Sequence, residues 1–517
     1  MKKISLLYVT ILFLSTMNVL GNIFITTNHP DVKAYLSYPN YRGITNDLTK
    51  DWKVNFEFSP SFDVQPLRYS YIIRDVNGKP IRGGSGNMSI DNKAKTALSI
   101  IADVDWPKGS YTWDITLNNN SIERAFNFTI NIVEEMPKVY IDNEGLTVVK
   151  GKRFFPYGVY TGNPSWWAQD DGSAKSGNDD LERMSNAGFN TVLSYQYGWN
   201  TNNKGREFMD NAKTNNLMVV YSFSTFLNSL QQKKLDYDFI KSYVDELKDH
   251  DCLLAWYIND EREYYEVLDS LYSIVAKRDG EHPALQVTYK PHILDNYYAS
   301  TDILGTDPYV IGNTNETLDR VTRWTDTTVM SARGTKGVWQ VLQMHNLGYF
   351  KNAPSHTILV DKDPTLDEMR NMTYQALAGG TKGLFYFAYH WLFYDEDETG
   401  KRSLNNTKFE KRWKSIEKLN QEIIPLTEII LKNNVVELQS LKKGSAVLRA
   451  WEEDNIIYLI VANKSESEST TLEVKIPGNR KIVKDQTNGL NPIILGNVLS
   501  LDLQPVESGL IKLSKKQ

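Results

Sequence analysis

The sequence predicts a multidomain protein built as a (β/α)8 TIM barrel flanked by an N-terminal and a C-terminal β-sandwich. Three observations predict it. Between about residues 139 and 432, apolar runs of strand length alternate with helix-periodic segments about eight times, the size and count of such a barrel. On both sides of that region, short runs alternate apolar and polar residues and are punctuated by turn residues. No G-x-G-x-x-G or G-x-x-x-x-G-K-[ST] loop follows a strand, which removes support for an open, doubly wound sheet.

The first element is a leader. Lys2 and Lys3 precede an apolar run from Ile4 to Leu14, and Val19 and Gly21 are small enough for a signal peptidase. Residues 1–21 therefore read as a secretory signal peptide, so the expected location is secreted or periplasmic. The run is short of the ~20 residues a membrane span needs, and no membrane association is expected after cleavage. Residues 22–136 read as the N-terminal β-sandwich. "WKVNFEFSPSF" and "AFNFTINIV" alternate, and "RYSYIIRDVNGKPI" places an Asn-Gly pair between two strand-like runs, a hairpin signal.

Residues 137–432 read as the barrel. In order, "RFFPYGVY", "TVLSYQY", "LMVVYSFS", "LLAWYINDE", "ALQVTYK", "DILGTDPYV", "GVWQVLQMH" and "GLFYFAYHW" are the strands, each followed by a helical pattern that is short only after the fifth. Nearly continuous apolar runs suit strands covered on both faces. Residues 433–517 return to alternation, with "EEDN" as a hairpin turn, and read as the C-terminal sandwich.

Composition narrows the function. A net charge of -5 offers no electrostatic case for nucleic acid or anionic membranes. An aromatic share of 12% suits a flat, uncharged ligand such as a sugar ring. Cys252 is the single cysteine, so there is no intramolecular disulfide and no cysteine-based metal site. Seven histidines without H-E-x-x-H, or H-x-H after the first strand, predict no metal, and no cofactor motif is present. Oligomeric state is not encoded in any of these features.

In a β/α barrel, chemistry gathers where strands run out into loops. Those positions hold Tyr160, Tyr195, Trp199, Asp260, Glu261, Asp307, Tyr309, Gln343, His345, Tyr389 and Trp391. Aromatic faces stack on sugars, while amide and carboxylate groups bind hydroxyls. Each also has a plainer role: aromatic packing, a satisfied loop histidine, or a turn fixed by Asp307 before Pro308. Asp260 and Glu261 stand apart, since adjacent carboxylates at the end of a buried strand are costly unless paired or used. Capping of the next helix is the competing explanation. Breaking a glycosidic bond needs a carboxyl that keeps its proton near neutral pH, hence a low-dielectric cleft. Glu261, behind "LLAWYI", fits that need.

"LLAWYINDE", "DILGTDPY" and "GGTKGLFYFAYHW" resemble the fourth, sixth and eighth strands of clan A type glycoside hydrolase barrels, over about residues 139–432. The resemblance implies a secreted glycosidase acting on a poly- or oligosaccharide by carboxylate general acid/base catalysis. Glu261 would be the acid/base, at the end of the fourth strand, with Asp260 standing where an Asn is usual. The family's nucleophile would be a Glu ending the seventh strand, but here "GVWQVLQMH" offers Gln343. Asp307 or the run Asp395, Glu396, Asp397, Glu398 could supply the second carboxylate. The Asp260–Glu261 pair is also similar to that of hexosaminidases, in which the substrate's acetamido group is the nucleophile. A catalytically silent carbohydrate-binding protein is the remaining alternative.

Overall fold

A computed structural model describes residues 29–516, apart from 61, 63–66, 92–94, 101–105, 120–121, 163–177, 196–203, 224–236, 351–358, 397–401 and 484–488. Residues 1–21, read above as a signal peptide, and Trp199, Asp397 and Glu398 lie outside the described residues. The chain forms two compact units, 1–137 and 138–517.

In the first unit, a three-stranded sheet (Val32–Tyr38, Trp52–Phe58, Lys95–Ile100) and a five-stranded sheet share one core. Alternation explains the sharing. Trp113, Ile115 and Leu117 from one sheet and Val54 and Phe56 from the other all turn inward. The Asn-Gly hairpin forms as its residues dictate: Gly78 takes φ +77°, and Asp75 accepts the amides of Asn77 and Lys79 at 2.9 Å each.

The second unit holds a closed barrel of eight parallel strands. They are β1 Tyr157–Thr161, β2 Thr191–Ser194, β3 Met218–Ser222, β4 Leu253–Asp260, β5 Ala284–Thr288, β6 Ile303–Thr306, β7 Gly337–Gln343 and β8 Gly383–Phe387. The ring closes where Gly158 of β1 pairs with Phe385 of β8. Gly158 is required there, since a Cβ would lie 2.5 Å from the Phe385 ring. A small antiparallel sheet, Val139–Ile141, Thr147–Val149 and Lys152–Phe154, sits at the N-terminal end of the strands, anchored by Val139 N–H to the Glu281 carbonyl just before β5 (2.9 Å). The strands run out at the opposite, C-terminal rim.

Two four-stranded antiparallel sheets follow the barrel and enclose their own core. Asp454 and Asn455, both at positive φ, make the two-residue hairpin turn read from "EEDN". This sandwich is fastened to the barrel helix Leu366–Gly379 by Asn371, whose amide donates to the carbonyls of Asn463 (2.9 Å) and Val506 (2.8 Å). Among the described residues, no helix is long and apolar enough to cross a membrane.

Candidate active site

The site is built around the end of β4. This strand slips register against both neighbours, between Val219 and Val220 of β3 and between its own Tyr257 and Asn259 against β5, which re-aims its last residues. Asn259 closes the turn that follows. Its side-chain Oδ1 accepts the Arg262 backbone N–H (3.0 Å), and its Nδ2 donates to the Arg262 carbonyl and to Gln286 Oε1 (3.1 Å each). Glu261 sits inside this brace at φ +59°, a conformation uncommon for a side chain with a Cβ, with its N–H on the Val287 carbonyl (3.0 Å). The left-handed residue is therefore held from both sides.

Three carboxyl groups meet here. Asp260 accepts the hydroxyls of Tyr257 (2.6 Å) and Tyr195 (2.8 Å). Burial pushes its pKa up, and the two phenols, which favour the ionised form, pull against that rise. Asp307, the residue after β6, shares a hydrogen bond with Glu261. Its Oδ1 is buried without a partner among the described residues. Burial, then the neighbouring charge of Glu261, hold its pKa well above the usual carboxylate range.

Glu261 is pushed up to about 7, first by desolvation and second by the charge of Asp260, with the Asp307 bond acting in the opposite sense. By accessible surface Glu261 is exposed, yet protein surrounds its carboxyl on most sides. Both hold for a group on the floor of a cavity. The enclosure sets the direction of the shift, and the water still reaching the carboxyl limits its size. Because two close carboxyls in a low-dielectric site cannot both ionise readily, the Glu261–Asp307 pair retains one proton near neutral pH.

The cavity above this floor has a volume of about 510 Å3. Tyr160, Tyr195, Tyr309 and Trp391 line it, together with the three carboxyls. Tyr309 stacks on Phe387 (5.7 Å, 29°), and Trp391 packs on Phe350 (4.7 Å). Burial raises the Tyr160, Tyr195 and Tyr309 hydroxyls well above their ordinary pKa, so they remain neutral.

Three expected sugar contacts have other tasks. Gln343 is fully buried with its amide saturated by backbone: it accepts from Val310 and Ile311 N–H (2.8 Å each) and donates to the carbonyls of Ile311 (2.8 Å) and His345 (3.1 Å). It pins the loop that carries Asp307 and Tyr309, and it has nothing left for a hydroxyl. His345 is buried behind the aromatic wall, edge-on to Tyr309 (5.0 Å) and Phe387 (5.1 Å), with Nδ1 donating to the Phe387 carbonyl (2.9 Å). Desolvation lowers its pKa to about 4, so it is neutral. Tyr389 points away from the cavity; its hydroxyl donates to Asp180 (2.7 Å) and its ring packs on Phe409 and Trp413.

Sequence reasoning missed Tyr289, Asn313, Arg320, Trp324, Phe350 and Phe387, which also line the cavity. Phe387 ends β8 and was within reach of the strand-end rule, whereas Arg320 and Trp324 lie on the helix Arg320–Ala332 and carried no such signal. Among the described residues, no group of three or more His, Cys, Asp and Glu is arranged to hold a metal ion.

No family model matches the chain, and no curated protein matches it. Solved structures with some likeness include a β-glucuronidase of an uncultured Clostridium sp., at 14% identity and TM-score 0.37, covering 74% of this chain and 68% of that one. A Parabacteroides merdae β-glucuronidase aligns at 9% identity and TM-score 0.36, over 94% of this chain and 74% of that one. An Anoxybacillus α-amylase aligns at 10% identity and TM-score 0.48, over 70% and 98%. Likeness at this level leaves function to be argued from the side chains.

Proposed function

We propose that the protein is a glycoside hydrolase cleaving O-glycosidic bonds of a poly- or oligosaccharide, with Glu261 as proton donor and Asp307 as its partner carboxyl. One observation carries the reading: a glutamate with its pKa raised to about 7, hydrogen-bonded to a second carboxyl, on the floor of an aromatic-walled cavity. Glu261, the more exposed member of the pair, passes the shared proton to the departing glycosidic oxygen as the bond to the anomeric carbon breaks. The positive charge growing at that carbon is offset by carboxylates at the floor, Asp260 among them. Water adds to the carbon, and its proton returns to the pair. The aromatic walls suit sugar faces.

The test is Glu261→Gln, incubated beside the wild type with a panel of oligosaccharides and aryl glycosides. Release of reducing ends by the wild type is expected, with loss of at least ~100-fold in the variant. Full turnover by the variant refutes the assignment. The commitment of Gln343 to backbone favours a second reading, a barrel that binds sugar without cutting it; binding with no product from the wild type would select it. We propose further that residues 1–21 act as a leader and that the reaction takes place outside the cytoplasm; sequencing of the mature N-terminus from exported protein tests this, and a retained Met1 refutes it.

A further inference from the structure

Arg320 is the one basic side chain among the described residues that line the cavity. Its guanidinium lies 4.0 Å over the Trp324 ring, which fixes its plane. One corner is occupied: Nη1 donates to the Tyr309 carbonyl (3.3 Å) and lies 3.4 Å from a Glu316 oxygen. The other edge, Nε with Nη2, makes no hydrogen bond among the described residues, and neither nitrogen is sealed from solvent. That edge carries two parallel N–H groups, the geometry that receives a carboxylate in a bidentate manner. Asn313, also lining the cavity, uses its side-chain oxygen on the Asn315 amide (3.0 Å), which leaves its NH2 as a further donor. An arginine held flat in a concave, aromatic site with its receiving edge unfilled is out of place in a pocket meant only for neutral sugars. Glu316 offsets part of the charge of Arg320, but the unfilled Nε–Nη2 edge is met by a carboxylate with two charge-assisted hydrogen bonds, which neutral hydroxyls do not supply.

We infer that Arg320 and Asn313 form an anion-recognising subsite, and that the sugar bound beside Glu261 carries a carboxylate, making the substrate class a uronic-acid glycoside. This rests on the sugar-binding reading of the cavity and narrows it. A uronate bears its carboxylate and its anomeric carbon on different ring atoms; Arg320 and the Glu261–Asp307 pair line the same cavity, and the charge of Asp307 acts on Arg320, so the proposal sets one ring between them. Trp324 supports the arginine rather than the sugar and acts as a positioning residue.

The experiment is equilibrium binding by calorimetry, which needs no turnover and so separates failure of this subsite from failure of the hydrolytic assignment. Wild type, Arg320→Met, Arg320→Lys and Glu261→Gln are each titrated with D-glucuronate, D-glucose and glucose 6-sulfate, with thermal unfolding confirming the fold. Wild type and Glu261→Gln are expected to prefer glucuronate over glucose by roughly tenfold or more. Arg320→Met, which keeps an apolar stem on Trp324, is expected to bring glucuronate down to the level of glucose while leaving glucose unchanged. Arg320→Lys, with charge but no planar fork, falls between. Equal affinity for glucuronate and glucose in the wild type, absence of binding by both, an equal loss for both sugars in Arg320→Met, or glucose 6-sulfate binding as tightly as glucuronate would each overturn the proposal. Should Arg320→Met fail to fold, the glucuronate-to-glucose ratio in Arg320→Lys decides: an unchanged ratio overturns it.

Discussion

The raised pKa of Glu261 has a consequence for stability that can be measured without a substrate. In the unfolded chain this carboxyl titrates near its ordinary 4.5, whereas in the folded protein it titrates at about 7. The folded state thus binds the proton more tightly, and the stability this contributes is present below about pH 4.5 and is lost as pH rises through about 7. For a fully enclosed carboxyl the shift corresponds to an upper bound of about 3 kcal/mol. Glu261 still meets cavity water, so screening reduces this to about 1 kcal/mol. Glu261→Gln replaces the protonated acid by a neutral amide of the same shape and does not titrate. Its stability relative to wild type should therefore rise by about 1 kcal/mol between pH 4.5 and pH 8, or about 2 °C in melting temperature for a domain of this size. Thermal unfolding of both proteins at those two pH values, followed by circular dichroism, is the assay. A difference between variant and wild type that stays constant with pH, or that moves in favour of the wild type at pH 8, would refute the enclosed, proton-holding glutamate.

Other substitutions separate the roles of neighbouring residues. Asp307→Asn removes the carboxyl that shares the Glu261 proton and should slow hydrolysis by ~100-fold or more while leaving melting temperature unchanged or raised, since it replaces a buried, incompletely satisfied acid; initial rates and unfolding curves check both. Gln343→Glu should create no nucleophile. It turns an oxygen towards the Ile311 and His345 carbonyls and should cost about 3 kcal/mol or more of stability, read by urea denaturation. Tyr389→Phe should cost about 1 kcal/mol through the lost bond to Asp180 and leave the rate on any cleaved substrate within about twofold.

Much of the architecture is legible from local pattern. The alternation of apolar runs with helical segments marks the barrel strands. The Asn-Gly and Asp-Asn pairs turn where backbone at positive φ is needed. Asp260 and Glu261 are legible as a site because β4 ends at Asp260 with Glu261 next, and strand ends reach the C-terminal rim. Direction is harder. Gln343 and Tyr389 also lie at or just past strand ends, yet one folds under the loop after β6 and the other turns to the outer helices, where hydrogen bonds to distant backbone and to Asp180 await them. Position along a strand says which rim a residue reaches, not which partner its loop will offer.

By itself the sequence determined the β/α periodicity, the flanking sandwiches and the carboxylates that end the fourth strand, because each is a property of a few consecutive residues. Only the tertiary structure decided that Asp307 meets Glu261 and that Arg320 and Trp324 join the same hollow. Those contacts link chain segments dozens of residues apart. They exist because closing the ring brings the ends of β4 and β6 together on one face, and closure belongs to all eight strands at once.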